Sequence, residues 1–231
     1  MLETLKREVF EANLALQRSG LVILTWGNVS GLEPDQGLVA IKPSGVSYDE
    51  MKPEQMTIVD LEGNVVQGDL RPSSDTPTHL ELYRRFEGIR GVAHTHSTCA
   101  TAWAQAKRGL PCYGTTHADT FYGEVPVTAD LTQEALAGHY ELETGRAIVA
   151  AFAELDPLEH PGVLVAGHGP FTWGGSPAKA VQSSIVLEQV ALMGLMTEAL
   201  SPDAEPISKA LLDKHFLRKH GKDAYYGQAG R

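Results

Sequence analysis

The chain is poor in cysteine: only Cys99 and Cys112 occur in 231 residues, with no Cys-x-x-Cys spacing. That excludes a disulfide framework and suits the reducing cytoplasm. An excess of basic residues is also missing. With 19 Lys and Arg against 29 Asp and Glu, the net charge is -10, which opposes nucleic acid or an anionic membrane as a general partner. Any anionic small molecule must be caught by local donors. Long apolar runs are absent as well. The opening stretch MLETLKREVFEANLALQRSG carries charges throughout and reads as an amphipathic helix rather than a signal peptide, so the mature chain is expected to start there. The most apolar segment, IVLEQVALMGLMTEAL, contains Glu188 and Glu198. It is too short to span a bilayer, which makes it a core or subunit-interface helix. No linker or internal repeat divides the chain, and its 42% hydrophobic content can bury one substantial core, so residues 1–231 read as one domain. The sequon Asn28-Val29-Ser30 stays idle without secretion.

Two common catalytic signatures are also missing. The nearest glycine cluster, GHGPFTWGG, has Thr172 where a dinucleotide-binding G-x-G-x-x-G needs its third glycine, and no His-Glu-x-x-His occurs. Hydride transfer is disfavoured, and so is the commonest form of metallohydrolase.

What is present is a regular change of pattern. After the first helix, LVILTWGNVSG and GLVAIKPSG read as strands, and MTIVDLEGNVVQG reads as a hairpin around Glu62-Gly63-Asn64. A helix is expected from about Pro77 to Phe86, then a strand in GVAHTHSTCA, a helix over TCATAWAQAKR and a loop to Val127. There follow a helix near ETGRAIVAAFAEL, the strand GVLVAGHGP and two C-terminal helices. Strands joined by hairpins and mixed with helices imply a layered α/β or α+β domain.

If GVAHT is a strand, His94 and His96 lie on one face. His168 sits between Gly167 and Gly169 at the end of an apolar run, where missing side chains permit close approach. Three histidines at strand ends leave coordination positions open, the arrangement a catalytic divalent metal uses when substrate binds it directly. In RPSSDTPTHLELYRRF, Thr76 is the better N-cap because it puts Pro77 at the first helical position, which frees Asp75 to face a metal. Ser73 and Ser74 then lie just before a helix N-terminus that favours an anion. The loops WGNVSG and KPSGV add Gly27, Asn28, Ser44 and Gly45 as donors and Lys42 as a point charge. Together these loops suit a small phosphorylated substrate. Lys42 could form a Schiff base, but Ile41 and Pro43 beside it give no sign of a depressed pKa.

The stretches LTWGNVSG, IKPSGVSYDEM, PSSDTPTHLELYR, HTHSTCATAWAQA, GTTHADTFYGEVP, GVLVAGHGPFTWG and LLDKHFLRKHGKDAYYGQ together resemble the L-ribulose-5-phosphate 4-epimerases, relatives of the class II aldolases. The likeness runs nearly end to end. It implies a three-layer α/β/α domain around a central, mostly antiparallel sheet. It also implies Asp75, His94, His96 and His168 as metal ligands, with zinc first and manganese or cobalt as alternatives. Gly27, Asn28, Ser44, Gly45, Ser73 and Ser74 match substrate contacts, and Asp119 and Tyr226 match a catalytic acid/base pair. The family builds its site between neighbours of a homotetramer, with Asp119 and Tyr226 supplied by the adjacent subunit. His215 and Arg218, on the terminal helix, are expected near the phosphate or the tail, His215 ranking first; His117 is expected to shape the Asp119 loop. His79 lies in the helix after Asp75 and is given no role, while His139 and His160 read as surface or packing residues.

Carbon 4 of a 2-ketose has no acidic proton, so inverting it requires a different bond to break. Cleaving C3–C4 leaves an enediolate of dihydroxyacetone, which a divalent metal can stabilise, and glycolaldehyde phosphate held by its phosphate. Rotation of the aldehyde before recombination inverts carbon 4, and one proton-transfer group on each face serves the two epimers. The rival reading is a class II aldolase that releases its aldehyde, acting on a related ketose phosphate such as L-fuculose 1-phosphate. Asp at position 75, where aldolase relatives carry a longer Glu, favours the epimerase. Arabinose and ascorbate catabolism both need this epimerisation.

Overall fold

The structure is a computed structural model that describes residues 2–222 and 224–226. Helix α1 (Leu2–Arg18) buries Leu5, Val9, Ala12 and Leu16, the stripe expected of an amphipathic helix. Strands β1 (Gly27–Glu33) and β2 (Leu38–Ile41) follow, then β3 (Thr57–Asp60) and β4 (Val65–Gln67). The β3–β4 turn forms where expected, because Asp60 Oδ1 accepts the amides of Glu62 (3.0 Å) and Asn64 (2.8 Å). Next come α2 (Thr76–Arg85), β5 (Gly91–Thr95), α3 (Thr98–Gln105), the single turn α4 (Thr115–Ala118), the short α5 (Gln133–Ala137) and α6 (Tyr140–Ala151). The chain closes with β6 (Gly162–Leu164), β7 (Pro170–Gly174), α7 (Pro177–Leu200) and α8 (Lys209–His220).

The seven strands form one sheet in the order β4-β3-β2-β1-β5-β7-β6, and every neighbouring pair is antiparallel. Strand alternation separates two cores. Val39, Val59 and Val92 face Leu82, Phe86, Ile148 and Trp173 in a cluster built with α2 and α6. The intervening Ala93 joins Leu16, Val29 and Val181 on the opposite face, under α1 and α7. The expected three layers are therefore present. Asn13 pins α1 to the sheet from within: its side-chain amide donates to the Val9 and Val29 carbonyls and its oxygen accepts the Val29 amide.

Four sequence expectations are corrected. The segment LVIL is not strand, because a tight turn in which the Trp26 amide reaches the Ile23 carbonyl (3.0 Å) delays β1 to Gly27. GVLVAGHGP is not one strand but a hairpin, with β7 unrecognised in the sequence and His168 in the connecting turn. Thr76 is the first residue of α2, so Asp75 holds the N-cap position, although its side chain makes no capping bond. The apolar C-terminal segment extends back to Pro177 as a helix of 24 residues, long and apolar enough by length and composition to cross a membrane. It packs instead on β5 and β7 and against α1 and α3, burying Ala180, Leu187, Val190 and Ala191, and is a core helix.

Trp173 on β7 is fully buried against Phe86 and Phe152, with ring centroids 5.0 and 5.1 Å away, and its indole donates to the Pro157 carbonyl at 2.7 Å. Trp173→Ala is expected to lower the unfolding free energy by about 3–5 kcal/mol, read as a shifted urea midpoint.

Candidate metal centre and substrate cleft

β5 lies between β1 and β7, and its register sets the site. His94 is opposite Asn28 on one side and Phe171 on the other. Its ring stacks on Phe171 at 4.2 Å and its Nδ1–H donates to the Pro170 carbonyl at 2.9 Å, which fixes the tautomer and leaves the Nε2 lone pair free. His96, two residues on, brings its Nε2 to 3.1 Å from that of His94. The β6–β7 turn delivers His168, and the ligand atoms of the three imidazoles lie within 4.8 Å of one another. Gly169 permits this convergence, since a Cβ there would stand 2.8 Å from the Thr95 carbonyl oxygen and 3.4 Å from the His96 ring. The shared face read from the His-Thr-His spacing is thus present.

The donor set fits a divalent ion. Burial, reinforced by the neighbouring imidazoles, lowers His96 and pushes His168 down to about 4, so both stay neutral with lone pairs available. Asp75 lines the same cleft but falls outside the three-imidazole cluster; its Oδ2 accepts from Asn28 Nδ2 at 2.6 Å. Burial opposes its charge, yet His94, His79 and the Asn28 bond prevail and hold its carboxyl below the usual range.

The cleft encloses about 430 Å³. Gly27, Asn28, Lys42, Ser44, Gly45, Ser73 and Ser74 all line it. Their donors are fewer than expected, however. The amides of Ser44 and Ser73 are taken by the Arg71 and Lys42 carbonyls, which lock the KPSG and RPSS loops together. Lys42 Nζ donates to the Val46 carbonyl at 2.7 Å, and burial pushes its pKa down to about 8, a depression its flanking residues did not reveal. Sequence reasoning missed Tyr140 and Glu141. Both line the cleft, and the Tyr140 hydroxyl lies 3.2 Å from His168 Nδ1, leaving Nε2 for an ion. No motif marks this pair, because α6 reaches the site only through its packing on α2. His79 is fully buried, its Nδ1 2.7 Å from Ser30 Oγ, which also meets the Tyr83 hydroxyl.

Asp119, His215 and Tyr226 do not line this cleft. They form a second cluster, where Asp119 accepts from His215 Nδ1 (3.1 Å), Arg218 Nη2 (3.0 Å) and Lys219 Nζ (3.1 Å). Burial works against ionisation of Asp119, but hydrogen bonds from Lys219, Arg218 and His215 hold its carboxyl below the usual range. Arg218 and Lys219 also lie over the exposed Tyr226 ring, at 5.0 and 4.4 Å. His117 is buried beneath the Asp119 turn and bonds the Gly123 carbonyl. The last five residues of the tail, 227–231, lie outside the described residues.

The fold and the triad define a metal-site protein of the class II aldolase type. The chain belongs to the Class II Aldolase and Adducin N-terminal domain family, which matches residues 7–195. Among solved structures it is similar to an L-fuculose 1-phosphate aldolase at 24% identity, covering 92% of this chain and 94% of that one with a TM-score of 0.78. A second L-fuculose-1-phosphate aldolase, from Thermus thermophilus, is 27% identical over 89% of this chain and 100% of that one, with a TM-score of 0.67. YgbL from Klebsiella pneumoniae, described as a putative aldolase/epimerase/decarboxylase, is 22% identical over 93% and 98% of the two chains, with a TM-score of 0.71.

Tyr140→Phe is expected to weaken zinc affinity by about 10- to 100-fold through loss of the bond that orients His168, measured by chelator competition. The metal-free chain should also lose stability on acidification. Folded His168 and His117 titrate at about 4 and His79 at about 3, against about 6.5 in the unfolded chain. Between those values the unfolded chain binds more protons, so stability present above about pH 6.5 drains away as pH falls towards 4. Urea midpoints at descending pH read this directly.

Proposed function

We propose that the protein is a divalent-metal-dependent epimerase interconverting L-ribulose 5-phosphate and D-xylulose 5-phosphate by opening and remaking the C3–C4 bond, with residues 1–231 acting as one cytoplasmic catalytic domain. The observation that carries this reading is the convergence of His94, His96 and His168 at one end of a cleft whose other walls are the Ser44–Gly45 and Ser73–Ser74 loops. A divalent ion held by the three imidazoles, with Asp75 assigned the fourth position and zinc preferred over manganese or cobalt, would supply Lewis-acid stabilisation of the charge that develops as the bond opens.

The protein's own groups do the rest. The hydroxyls of Ser44 and Ser73, with the Gly45 and Ser74 amides, receive the phosphate. Asn28 orients Asp75 and borders the sugar. Asp119 and Tyr226 transfer protons on opposite faces of the aldehyde. Asp119 begins ionised, which suits it to take the C4 hydroxyl proton first. Because these two and His215 share one cluster away from the cleft, a homotetramer in which a neighbour's cluster closes the cleft accounts for both halves. The second reading, an aldolase for a ketose phosphate such as L-fuculose 1-phosphate, is favoured by the names of two structural neighbours. The shorter Asp75 in place of a Glu favours the epimerase.

Metal-reconstituted protein incubated with L-ribulose 5-phosphate should yield D-xylulose 5-phosphate by NMR, and a chelated sample should not. Net accumulation of dihydroxyacetone and glycolaldehyde phosphate would favour the aldolase. Asp119→Asn and Tyr226→Phe should each lower turnover about 10²- to 10⁴-fold. Subunits carrying Asp119→Asn, co-assembled with subunits carrying His94→Asn, should regain activity that neither has alone.

A further inference from the structure

We propose that Trp26 is the specificity-determining wall of the cleft, holding the aldehyde fragment in place while it rotates and so separating epimerisation from net cleavage. The inference rests on the epimerase reading and adds to it. Opening C3–C4 sends the C4 hydroxyl proton to a base and leaves the bonding electron pair on the enediolate. Re-addition returns the pair to a new C3–C4 bond and a proton to the C4 oxygen. Nothing is gained or lost, so an epimerase and an aldolase differ only in whether the aldehyde leaves first. Retention requires a surface beside the reacting carbon that is broad enough to block escape. It must also lack strong hydrogen bonds that would fix one face of the aldehyde.

Trp26 meets those requirements. It lines the cleft, its ring centroid is 6.4 Å from that of His96, and it is the one large apolar side chain in a wall otherwise made of polar, small or metal-ligating groups and Pro43. Its side chain remains 52% exposed, so it stands at the mouth rather than in the core. The backbone is shaped to put it there. The Ile23–Trp26 turn holds Leu24 at φ 55°, a left-handed conformation rarely adopted by a branched side chain, while the Leu24 side chain itself points to solvent. Such an outlier persists only where the surroundings enforce it, and here the next residues anchor the turn. Gly27 is packed against Val22 so closely that a Cβ would stand 2.5 Å from it, and its carbonyl accepts the Tyr48 hydroxyl at 2.9 Å.

The test compares wild type, Trp26→Ser and Trp26→Phe, each with its metal content verified, on L-ribulose 5-phosphate, scoring D-xylulose 5-phosphate and trapped glycolaldehyde phosphate in the same tube. Trp26→Ser should raise fragment release per epimerisation by about tenfold, with Trp26→Phe restoring most of the retention. An unchanged ratio, with both rates lowered together, would overturn the proposal. A second readout is independent of turnover. Of the three tryptophans, Trp103 and Trp173 are buried, so acrylamide quenching reports Trp26, and glycolaldehyde phosphate should protect it. If wild type epimerises nothing yet the fragment protects Trp26, the substrate assignment fails and the wall stands. If wild type epimerises without protection and with an unchanged ratio, the wall fails and the assignment stands. The absence of both epimerisation and protection would overturn both.

Discussion

The hydrogen-bonded register of β5 between β1 and β7 is the constraint on which the site depends. It places His94 opposite both Asn28 and Phe171, so one strand position determines the metal-facing ring, the residue that holds Asp75 and the aromatic surface that fixes the ring's plane. Alternation within the same strand sends Val92 and Ala93 into different cores. A slip of one residue would therefore turn His94 towards α7 and exchange the two hydrophobic faces together. Sheet packing and the placement of His94 in the imidazole triad are specified by the same ladder.

Around that strand the protein sorts its polar groups by how they are kept charged or neutral. In the cleft, burial and mutual repulsion hold His96 and His168 neutral, the state a ligand needs. At the second cluster, the cations Arg218 and Lys219, with a further hydrogen bond from His215, hold Asp119 ionised. One region is prepared to accept positive charge, and the other concentrates cations around a carboxylate. Under the proposed function, an anionic sugar phosphate bridging the two would satisfy both.

Family membership sets the chemistry only to a point. Under the proposed function an epimerase and an aldolase open the same bond, and the solved relatives include an L-fuculose 1-phosphate aldolase and a protein described as a putative aldolase/epimerase/decarboxylase. Beyond position 75, the difference must lie in groups that touch the departing fragment. That moves attention from the histidines to the other walls of the cleft, which include Asn28, Trp26 and Tyr140.

Much of this was legible in the residues. The period of two in GVAHTH determined that His94 and His96 share a face, and the β3–β4 turn followed from Glu62, Gly63 and Asn64, because these are short-range geometric rules. Of the donor segments at the cleft, KPSG was visible as a strand-ending turn and RPSS as the approach to a helix, whereas Gly27 and Asn28 open β1 rather than follow a strand. What the residues alone did not decide were features set by partners distant in the chain. β7 reads as part of a loop until β5 and β6 supply its hydrogen bonds, Tyr140 meets His168 across 28 positions, and the Lys42 pKa falls only because the folded loop buries it. The sequence by itself determined which groups could bind a metal and a phosphate, since ligand chemistry belongs to side-chain type. Only the tertiary structure decided which amides remain free, which charges are suppressed and which groups stand apart, because burial and long-range pairing do not exist until the chain has folded.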